Sequence, residues 1–158
     1  MRPANSELAV MAWLKTVPGL PVDQIGTTLP QDNSTWAASG FVQPLAVGKG
    51  SSNPYYGYRA PVFEIHCWAV NPAKQTPPWW KANELAENIW AHLIEENGLE
   101  NLETRTGYRK VRVLQVWGIE EPKRIPWGFP SGQGSFVDPG DSAHYKLSLQ
   151  IAWAELPE

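Results

Sequence analysis

The chain has 158 residues and a mass of 17.6 kDa, a size that suits one domain rather than two. Apolar residues make up 42% of the chain and charged residues 18%, which excludes an intrinsically disordered composition. The 13 Lys and Arg against 16 Asp and Glu give a net charge of −3, which argues against nucleic-acid binding through a basic surface.

A short helix is the first predicted element and covers Ser6–Val17. Ser6 is the expected N-cap, and Pro18 with Gly19 marks the end of the helix. The apolar residues follow the spacing of one buried helix face, at Val10, Trp13, Leu14 and Val17. A turn-rich connector without a clear period follows over residues 18–35.

Two strands are predicted next, the first over Trp36–Val47, where Pro44 favours an edge strand or a bulge. The second covers Pro61–Val70 and is rich in β-branched and aromatic residues. Its alternation directs two sets of side chains to opposite faces: Phe63, Ile65 and Cys67 against Glu64, His66 and Trp68. Residues 48–60 have the composition of a flexible loop, but three tyrosines in it indicate contact with another molecule: Tyr55, Tyr56 and Tyr58.

A second helix is predicted over Trp79–Asn97, with Thr76 as its candidate N-cap and Gly98 as its stop. Its apolar stripe comprises Ala82, Leu85, Ala86, Ile89, Trp90 and Leu93, with the glutamates on the opposite side. Two more strands are predicted over Val111–Gly118 and Ala143–Ala154. The last strand alternates cleanly, with Tyr145, Leu147, Leu149, Ile151 and Trp153 on one face.

The long loop over Ile119–Ser142 is the most unusual of the predicted connections. Loops of this length in a compact domain are usually functional. This loop carries large apolar side chains that a solvated loop has no reason to hold: Trp127, Phe129 and Phe136. We therefore expect the loop to contact another protein, with packing of its aromatic residues on the chain's own sheet as the alternative.

The order of elements is helix, two strands, helix and two strands, and no repeat of fixed period interrupts it. This order predicts one α+β domain over residues 1–158. We expect a mostly antiparallel, four-stranded sheet with two helices packed on one face and long loops between the strands.

Charge is divided into two neighbouring blocks. Residues 81–103 hold six Glu against one Lys, a net charge of −5, and residues 104–124 hold six basic residues against two Glu, a net charge of +4. Complementary blocks can pair within the fold or between copies in an assembly, where they fix the register; two solvated faces are the alternative. The candidate residues for pairing between protomers are Glu84, Glu87, Glu95, Arg109, Lys110 and Arg112.

No motif of catalytic or metal-binding residues stands out. His66 and Cys67 are adjacent on a predicted strand, so they point to opposite faces and cannot form a nucleophile–base pair. His92 is expected on the polar side of the second helix and His144 at the start of the last strand, without the spacing of metal ligands. The single cysteine excludes an internal disulfide. We expect no catalytic residue, no metal and no cofactor.

The sequence shows neither the pattern of a membrane span nor that of a secretion signal. No apolar run approaches the roughly 18 residues of a membrane span. Residues 1–15 lack the basic segment, apolar stretch and cleavage site of a secretion signal. We expect neither membrane insertion nor secretion.

Nine tryptophans invite a second interpretation, a carbohydrate-binding module whose exposed indoles stack on sugar rings. Three of them fall on predicted buried stripes, at Trp13, Trp90 and Trp153, which weakens this interpretation. Better candidates for contact residues are Trp79, Trp117 and Trp127, because aromatic side chains dominate interface cores. Local packing is the alternative for each of them.

Packing motifs are spread over residues 1–95. They are Arg2-Pro3-Ala4-Asn5-Ser6-Glu7-Leu8, Ala12-Trp13-Leu14-Lys15, Val17-Pro18-Gly19-Leu20, Thr28-Leu29-Pro30, Thr35-Trp36, Gly40-Phe41-Val42, Cys67-Trp68-Ala69-Val70-Asn71-Pro72, Lys81-Ala82-Asn83 and Leu85-Ala86-Glu87. In these motifs the chain resembles the tail terminator proteins of long-tailed, siphovirus-type phages that infect actinobacteria. After residue 95 only the strand pattern and the length agree.

The resemblance implies a structural virion protein with the α+β fold already predicted. Tail terminators form a hexameric ring that caps the finished tail tube, stops its polymerisation and joins it to the head. The implied partners are other copies of the chain, the tail tube protein and a head–tail connector or stopper protein. DNA is implied to pass through the ring without sequence-specific binding. The implied location is the head-proximal end of the tail, after assembly in the host cytoplasm.

Two other interpretations stay open beside this one. Another neck component or a tail tube subunit of the same virion fits the same features. A tube subunit polymerises without limit, whereas a terminator stops at one ring, so the assembled mass separates them. The carbohydrate-binding module is the second, and a small hydrolase outside any virion belongs with it.

Overall fold

The computed structural model describes residues 1–53, 57–71, 77–95, 99–126 and 142–157. Within them lie two α-helices and five β-strands: α1 Ser6–Leu14, β1 Phe41–Asn53, β2 Tyr58–Val70, α2 Trp79–Glu95, β3 Glu100–Leu102, β4 Val111–Arg124 and β5 Ser142–Glu155. Two 3-10 turns, Val22–Gln24 and Asn33–Thr35, lie between α1 and β1. The strands form one antiparallel sheet in the order β1-β2-β5-β4-β3, which confirms the predicted α+β class.

The sheet has five strands, so the prediction of four was wrong. The missed strand is β3, Glu100–Leu102, which pairs only with Val111–Val113 at the start of β4. Three residues are too few to show the alternation that identifies a strand from its sequence.

Three strands extend into residues that were predicted to be loop: 48–53 in β1, 58–60 in β2 and 119–124 in β4. β-Bulges accommodate their Gly- and Pro-containing sequences. The pairing register shifts between Ala46 and Gly50 in β1, and twice between Gly118 and Lys123 in β4. Pairing with β2 and β5 thus outweighs a weak strand propensity, and the bulges bend a sheet that is curled rather than flat.

Both helices pack on the same face of the sheet, as predicted. The core between them is built from the predicted stripes, with buried Phe63, Ile65, Cys67, Leu147, Leu149, Ile151, Leu85, Ile89, Val10, Trp13 and Leu14. Trp90 of α2 is half buried at its margin and lies against Gly118 of β4. A Cβ at Gly118 would collide with the Trp90 indole, so this contact requires glycine.

The α1 helix differs from its prediction at both ends. Asn5, and not Ser6, is the N-cap, because its side chain accepts a hydrogen bond from the Leu8 N–H at 2.9 Å. The Ser6 hydroxyl instead accepts from Trp153 Nε1 at 3.0 Å, which ties α1 to the end of β5. The helix ends at Leu14 rather than Val17. The other predicted N-cap, Thr76, lies outside the described residues.

The connector between α1 and β1 covers part of the opposite face of the sheet. It builds a second apolar cluster with Leu29, Trp36, Phe41, Trp68 and Val70. The prediction that a strand begins at Trp36 was wrong. Trp36 follows the 3-10 turn Asn33–Thr35 and is fully buried. The first strand begins only at Phe41. A tryptophan can be buried in a strand or in a turn, so the apolar side chain of Trp36 does not by itself show which of the two structures forms.

Candidate assembly surfaces

The basic block predicted to pair between protomers lies at the start of β4. Arg109 Nη1 donates to Glu155 Oε1 at 2.8 Å, and Glu155 Oε2 accepts from the Ala4 N–H at 2.7 Å. Lys110 Nζ lies 3.0 Å from Glu103 Oε1 at the surface. Arg109 and Lys110 therefore have carboxylate partners in their own chain, and Arg109 helps to tie the N-terminal segment to β5.

Arg112 has a different environment from these two residues. It is exposed on β4, and its Nε donates to Asn101 Oδ1 of β3 at 2.8 Å. No carboxylate among the described residues lies within ion-pair distance of its side chain. Of the predicted basic residues, Arg112 is thus the one whose charge remains available at the surface.

The acidic partners predicted on α2 are in part exposed. Glu84 and Glu87 lie at the surface, and Glu84 is 3.8 Å from Lys81 of the preceding turn. Glu95 is the last residue of α2, and its side chain lies outside the described part of the chain. Pairing of these carboxylates with another protomer stays a prediction.

Two of the predicted aromatic contact residues lie on the face of the sheet that the helices leave uncovered. Trp117 of β4 stands opposite Gln150, and Tyr58 of β2 stands opposite Ala154; both are half buried. The other predicted contact residues lie outside the described residues: Tyr55, Tyr56, Trp127, Phe129 and Phe136. Most of the predicted Ile119–Ser142 loop also lies outside them, apart from its first residues, which extend β4.

The exposed face of α2 carries Trp80, a tryptophan that was not among the predicted contact residues. Trp79 is half buried, with the Arg124 guanidinium 3.7 Å from its ring centroid. Trp80 is 70% exposed. Helical periodicity could have predicted that Trp80 is exposed, because it lies on the side of α2 away from the buried stripe. The residues four, seven and eleven positions later lie on the same side and are exposed too: Glu84, Glu87 and Ala91.

A groove of about 380 Å³ lies beside α1. Leu8, Met11, Ala12 and Lys15 line it from the helix, and Glu103 to Thr106 line it from the connection between β3 and β4. Sequence reasoning missed this groove because its two walls are far apart in the chain. Only the sheet, which brings β3 beside α1, places them together.

A buried histidine pair lies on the same face of the sheet as Trp117. The β2–β5 register sets His66 opposite Lys146 and Trp68 opposite His144. His66 Nδ1 is 2.7 Å from His144 Nε2, so one imidazole donates a hydrogen bond to the other. Trp68 stacks on His144 with ring centroids 3.8 Å apart. The sequence spacing of the histidines does not indicate this pair, because the pair follows from the strand register.

Charged groups flank this pair on its open side. Lys146 Nζ donates to Glu64 Oε2 at 3.2 Å, and Glu64 Oε1 lies 3.4 Å from His66 Nε2. Burial lowers the pKa of His66 below its ordinary range, and Glu64 opposes this effect only in part. Burial raises the pKa of Glu64, but the hydrogen bond and charge of Lys146, together with His66, bring it below its ordinary value. His66 is therefore neutral at neutral pH.

The remaining two candidates for chemistry are buried packing residues. The prediction that His92 lies on the polar side of α2 was wrong, because His92 is buried. Its ring packs on Trp13, and Thr16 Oγ1 lies 3.3 Å from its Nε2. The partner at the end of α1 supplies the polar contact that lets His92 be buried. Cys67 points into the core, opposite to His66 as predicted, and burial raises the pKa of its thiol.

No described helix is both long and apolar enough to cross a bilayer. In the part of the chain that the structure describes, no three His, Cys, Asp or Glu side chains are grouped so as to hold a metal ion.

Comparison with known proteins finds a match among solved structures only. No family model matches the chain, and no curated protein matches it. Among solved structures, a chain from "Virion of native gene transfer agent (GTA) particle" matches with a TM-score of 0.42 and 13% sequence identity, covering 97% of this chain and 87% of that chain.

Proposed function

We propose that this chain is a structural protein of a phage-like virion, and that six copies of it form a ring that caps the tail tube. The ring stops tube polymerisation and presents a joining surface to the head connector or stopper protein. DNA passes through it without sequence-specific contacts. The proposal assigns no catalytic step, metal or cofactor to the chain.

The observation that carries the proposal is a contact at Gly40 between three of the sequence motifs in which the chain resembles tail terminator proteins. Gly40 has a φ of +81°, and a Cβ there would lie 2.7 Å from Leu85 Cδ1 and 2.9 Å from the Trp68 carbonyl oxygen. Each of these residues belongs to a different motif. Because the motifs pack on one another, they specify one fold together, and this supports a resemblance of whole folds rather than of isolated segments.

The distribution of charge supports an assembly of copies. Exposed carboxylates lie on α2, at Glu84 and Glu87, whereas an exposed cation without a described carboxylate partner lies at Arg112 on β4. A contact between two different surfaces of one chain is heterologous, and it closes into a ring when the rotation between copies fits. This is the symmetry that a tube-capping ring requires.

The tryptophans do not favour the carbohydrate-binding alternative. A row of exposed indoles would be needed to stack on successive sugars. Four of the described tryptophans are buried, at Trp13, Trp36, Trp68 and Trp153, and Trp80 is the only exposed one among the described residues.

Removal of the gene from the virus that encodes the chain tests the proposal. If the chain caps the tube, electron microscopy of the mutant should show tubes of irregular, excess length and heads without tails. A wild-type copy supplied in trans should restore tails of uniform length. A complete absence of tubes would assign the chain to the tube subunit, and particles with normal tails would contradict a virion function.

A further inference from the structure

We infer that the groove beside α1 receives the exposed face of α2 from a second copy of the chain, with Trp80 in the groove and Glu87 at its basic rim. This inference rests on the proposed ring and names the two surfaces that build it. In this contact Lys15 and Arg105 supply the cations, and the predicted basic residues Arg109, Lys110 and Arg112 do not line the groove.

The donor surface is a single stripe along α2. Trp80, Glu84, Glu87 and Ala91 are all exposed, and their spacing of four, three and four residues places them on one side of the helix. The indole of Trp80 is 70% exposed. Burial of a tryptophan in a partner's groove is among the largest single contributions to protein association. The apolar end and the acidic middle of this stripe define what a partner must offer.

The acceptor surface offers a complementary arrangement. Met11 is half buried and contributes apolar surface to the groove, with the buried Leu8 and Ala12 beside it. The groove volume of about 380 Å³ leaves room for a side chain. Docking of an amphipathic helix face into such a groove is a common mode of recognition.

The rim of the groove supplies positive charge. Lys15 and Arg105 line it and are exposed, and no described carboxylate lies within ion-pair distance of either side chain. The carboxylate at the groove, Glu103, is 3.0 Å from Lys110 Nζ and is balanced by it. The cations at the groove have no described carboxylate partner and therefore match Glu87 of α2, whereas Glu84 lies 3.8 Å from Lys81. Charge complementarity of this kind selects a partner and its register.

A charge exchange between the two surfaces gives a sharp test. Glu87→Lys alters the donor surface only, and Lys15→Glu alters the acceptor surface only. Each variant alone should self-associate at least about tenfold more weakly than the wild-type chain in sedimentation velocity. In a ring that alternates the two variants, every contact is either the original pair or the exchanged pair. A 1:1 mixture should therefore form alternating rings at the wild-type concentration.

Matched controls separate the contact from general effects of charge and exposure. Glu121→Lys makes the same charge reversal at an exposed position of β4, and Leu99→Ala removes an apolar side chain that is 70% exposed, like Trp80. Both controls should assemble like the wild type, whereas Trp80→Ala should not. Circular dichroism should be unchanged in every variant, since all of these side chains lie at the surface. The thermal midpoint should also be unchanged when it is measured at a concentration at which the wild-type chain is monomeric.

The outcomes separate this contact from the ring itself. If the wild-type chain forms rings and the two charge variants form them equally well, this contact is wrong and the proposed function stands. Failure of the 1:1 mixture to recover also contradicts the contact, because the exchanged pairs are then not equivalent. A wild-type chain that stays monomeric at all concentrations contradicts both the contact and the ring.

Discussion

The two faces of the sheet are built from the same strands with different chemistry. The face under the helices is apolar throughout, from Phe63 and Ile65 of β2 to Leu147 and Leu149 of β5. The opposite face buries polar side chains among its aromatic ones: Gln43, His66, His144 and Ser148. The first face depends on hydrophobic burial, which has no direction, and the second on hydrogen bonds, which require a fixed register. We expect the first to dominate stability and the second to set its dependence on pH.

The largest expected effect is the removal of an aromatic ring from the helix-covered face. Phe63→Ala should lower the free energy of unfolding by about 3–5 kcal/mol. Phe63 is fully buried, so its removal leaves a cavity that the surrounding core residues fill only in part. Val62→Ala on the opposite face of the same strand should cost less than about 1.5 kcal/mol, since Val62 is only half buried. Urea denaturation measures both, and equal losses would contradict the assigned difference between the faces.

The next effect concerns the turn at which the two apolar clusters meet. Gly40→Ala should cost about 2–3 kcal/mol, because the residue has a φ of +81° and its Cβ would collide with the Trp68 carbonyl oxygen. Gly57→Ala is the matched control: its φ of +68° carries similar strain, but its Cβ would meet nothing within 4 Å. The control should lose only about 1 kcal/mol. If the two losses in thermal denaturation are the same, the close contact at Gly40 has no energetic weight.

The histidine pair gives an effect of intermediate size. His66→Leu or His144→Leu alone should cost about 1–3 kcal/mol, because each leaves the other imidazole nitrogen buried without its partner. The double variant should cost less than the sum of the two, since it removes both polar groups together. A double-mutant cycle measures this coupling, and additive losses would mean that the 2.7 Å contact contributes nothing.

Acid should weaken the fold through the same pair. The folded pKa of His66 lies below its unfolded value of about 6.5, so between those two values the unfolded chain binds more protons. The free energy of unfolding should therefore fall as the pH drops below about 6.5, by at most about 1.4 kcal/mol per pH unit for this group, and level off below the folded pKa. The slope in this window should diminish in the double leucine variant. Titration of Glu64 falls at lower pH, because its pKa is lowered.

The smallest effect is expected at the charged end of β4. Arg112→Ala should change the free energy of unfolding by no more than about 0.5 kcal/mol, because the side chain is exposed and its hydrogen bond to Asn101 lies at the surface. Chemical denaturation of the monomer checks this. A loss above about 1 kcal/mol would show that Arg112 serves the fold rather than a partner.

The same contrast explains how much the sequence alone could predict. The apolar stripe of α2 and the alternation of β2 and β5 repeat over many residues, so they identified both helices, four of the five strands and the helix-covered face. The three residues of β3 carry no such period. The strand extensions at 48–53 and 119–124 are decided by pairing partners that lie elsewhere in the chain.

The candidate surfaces could be predicted only in part, for a related reason. The acidic helix face follows from helical periodicity, and Glu84 and Glu87 are indeed exposed. The partner of a basic residue does not follow from its own sequence neighbours: Arg109 pairs with Glu155 across the β4–β5 end of the sheet. The histidine pair and the groove beside α1 likewise require a register between distant segments.

Native mass spectrometry of the purified chain, at low and then at high salt, tests the ring most directly. The account predicts a closed species of six times the chain mass at low salt. Because charge complementarity contributes to the contact, raising the salt should shift this species towards the monomer. Monomer alone at every concentration and salt, or polymers of unlimited mass, would contradict a ring that caps a tube.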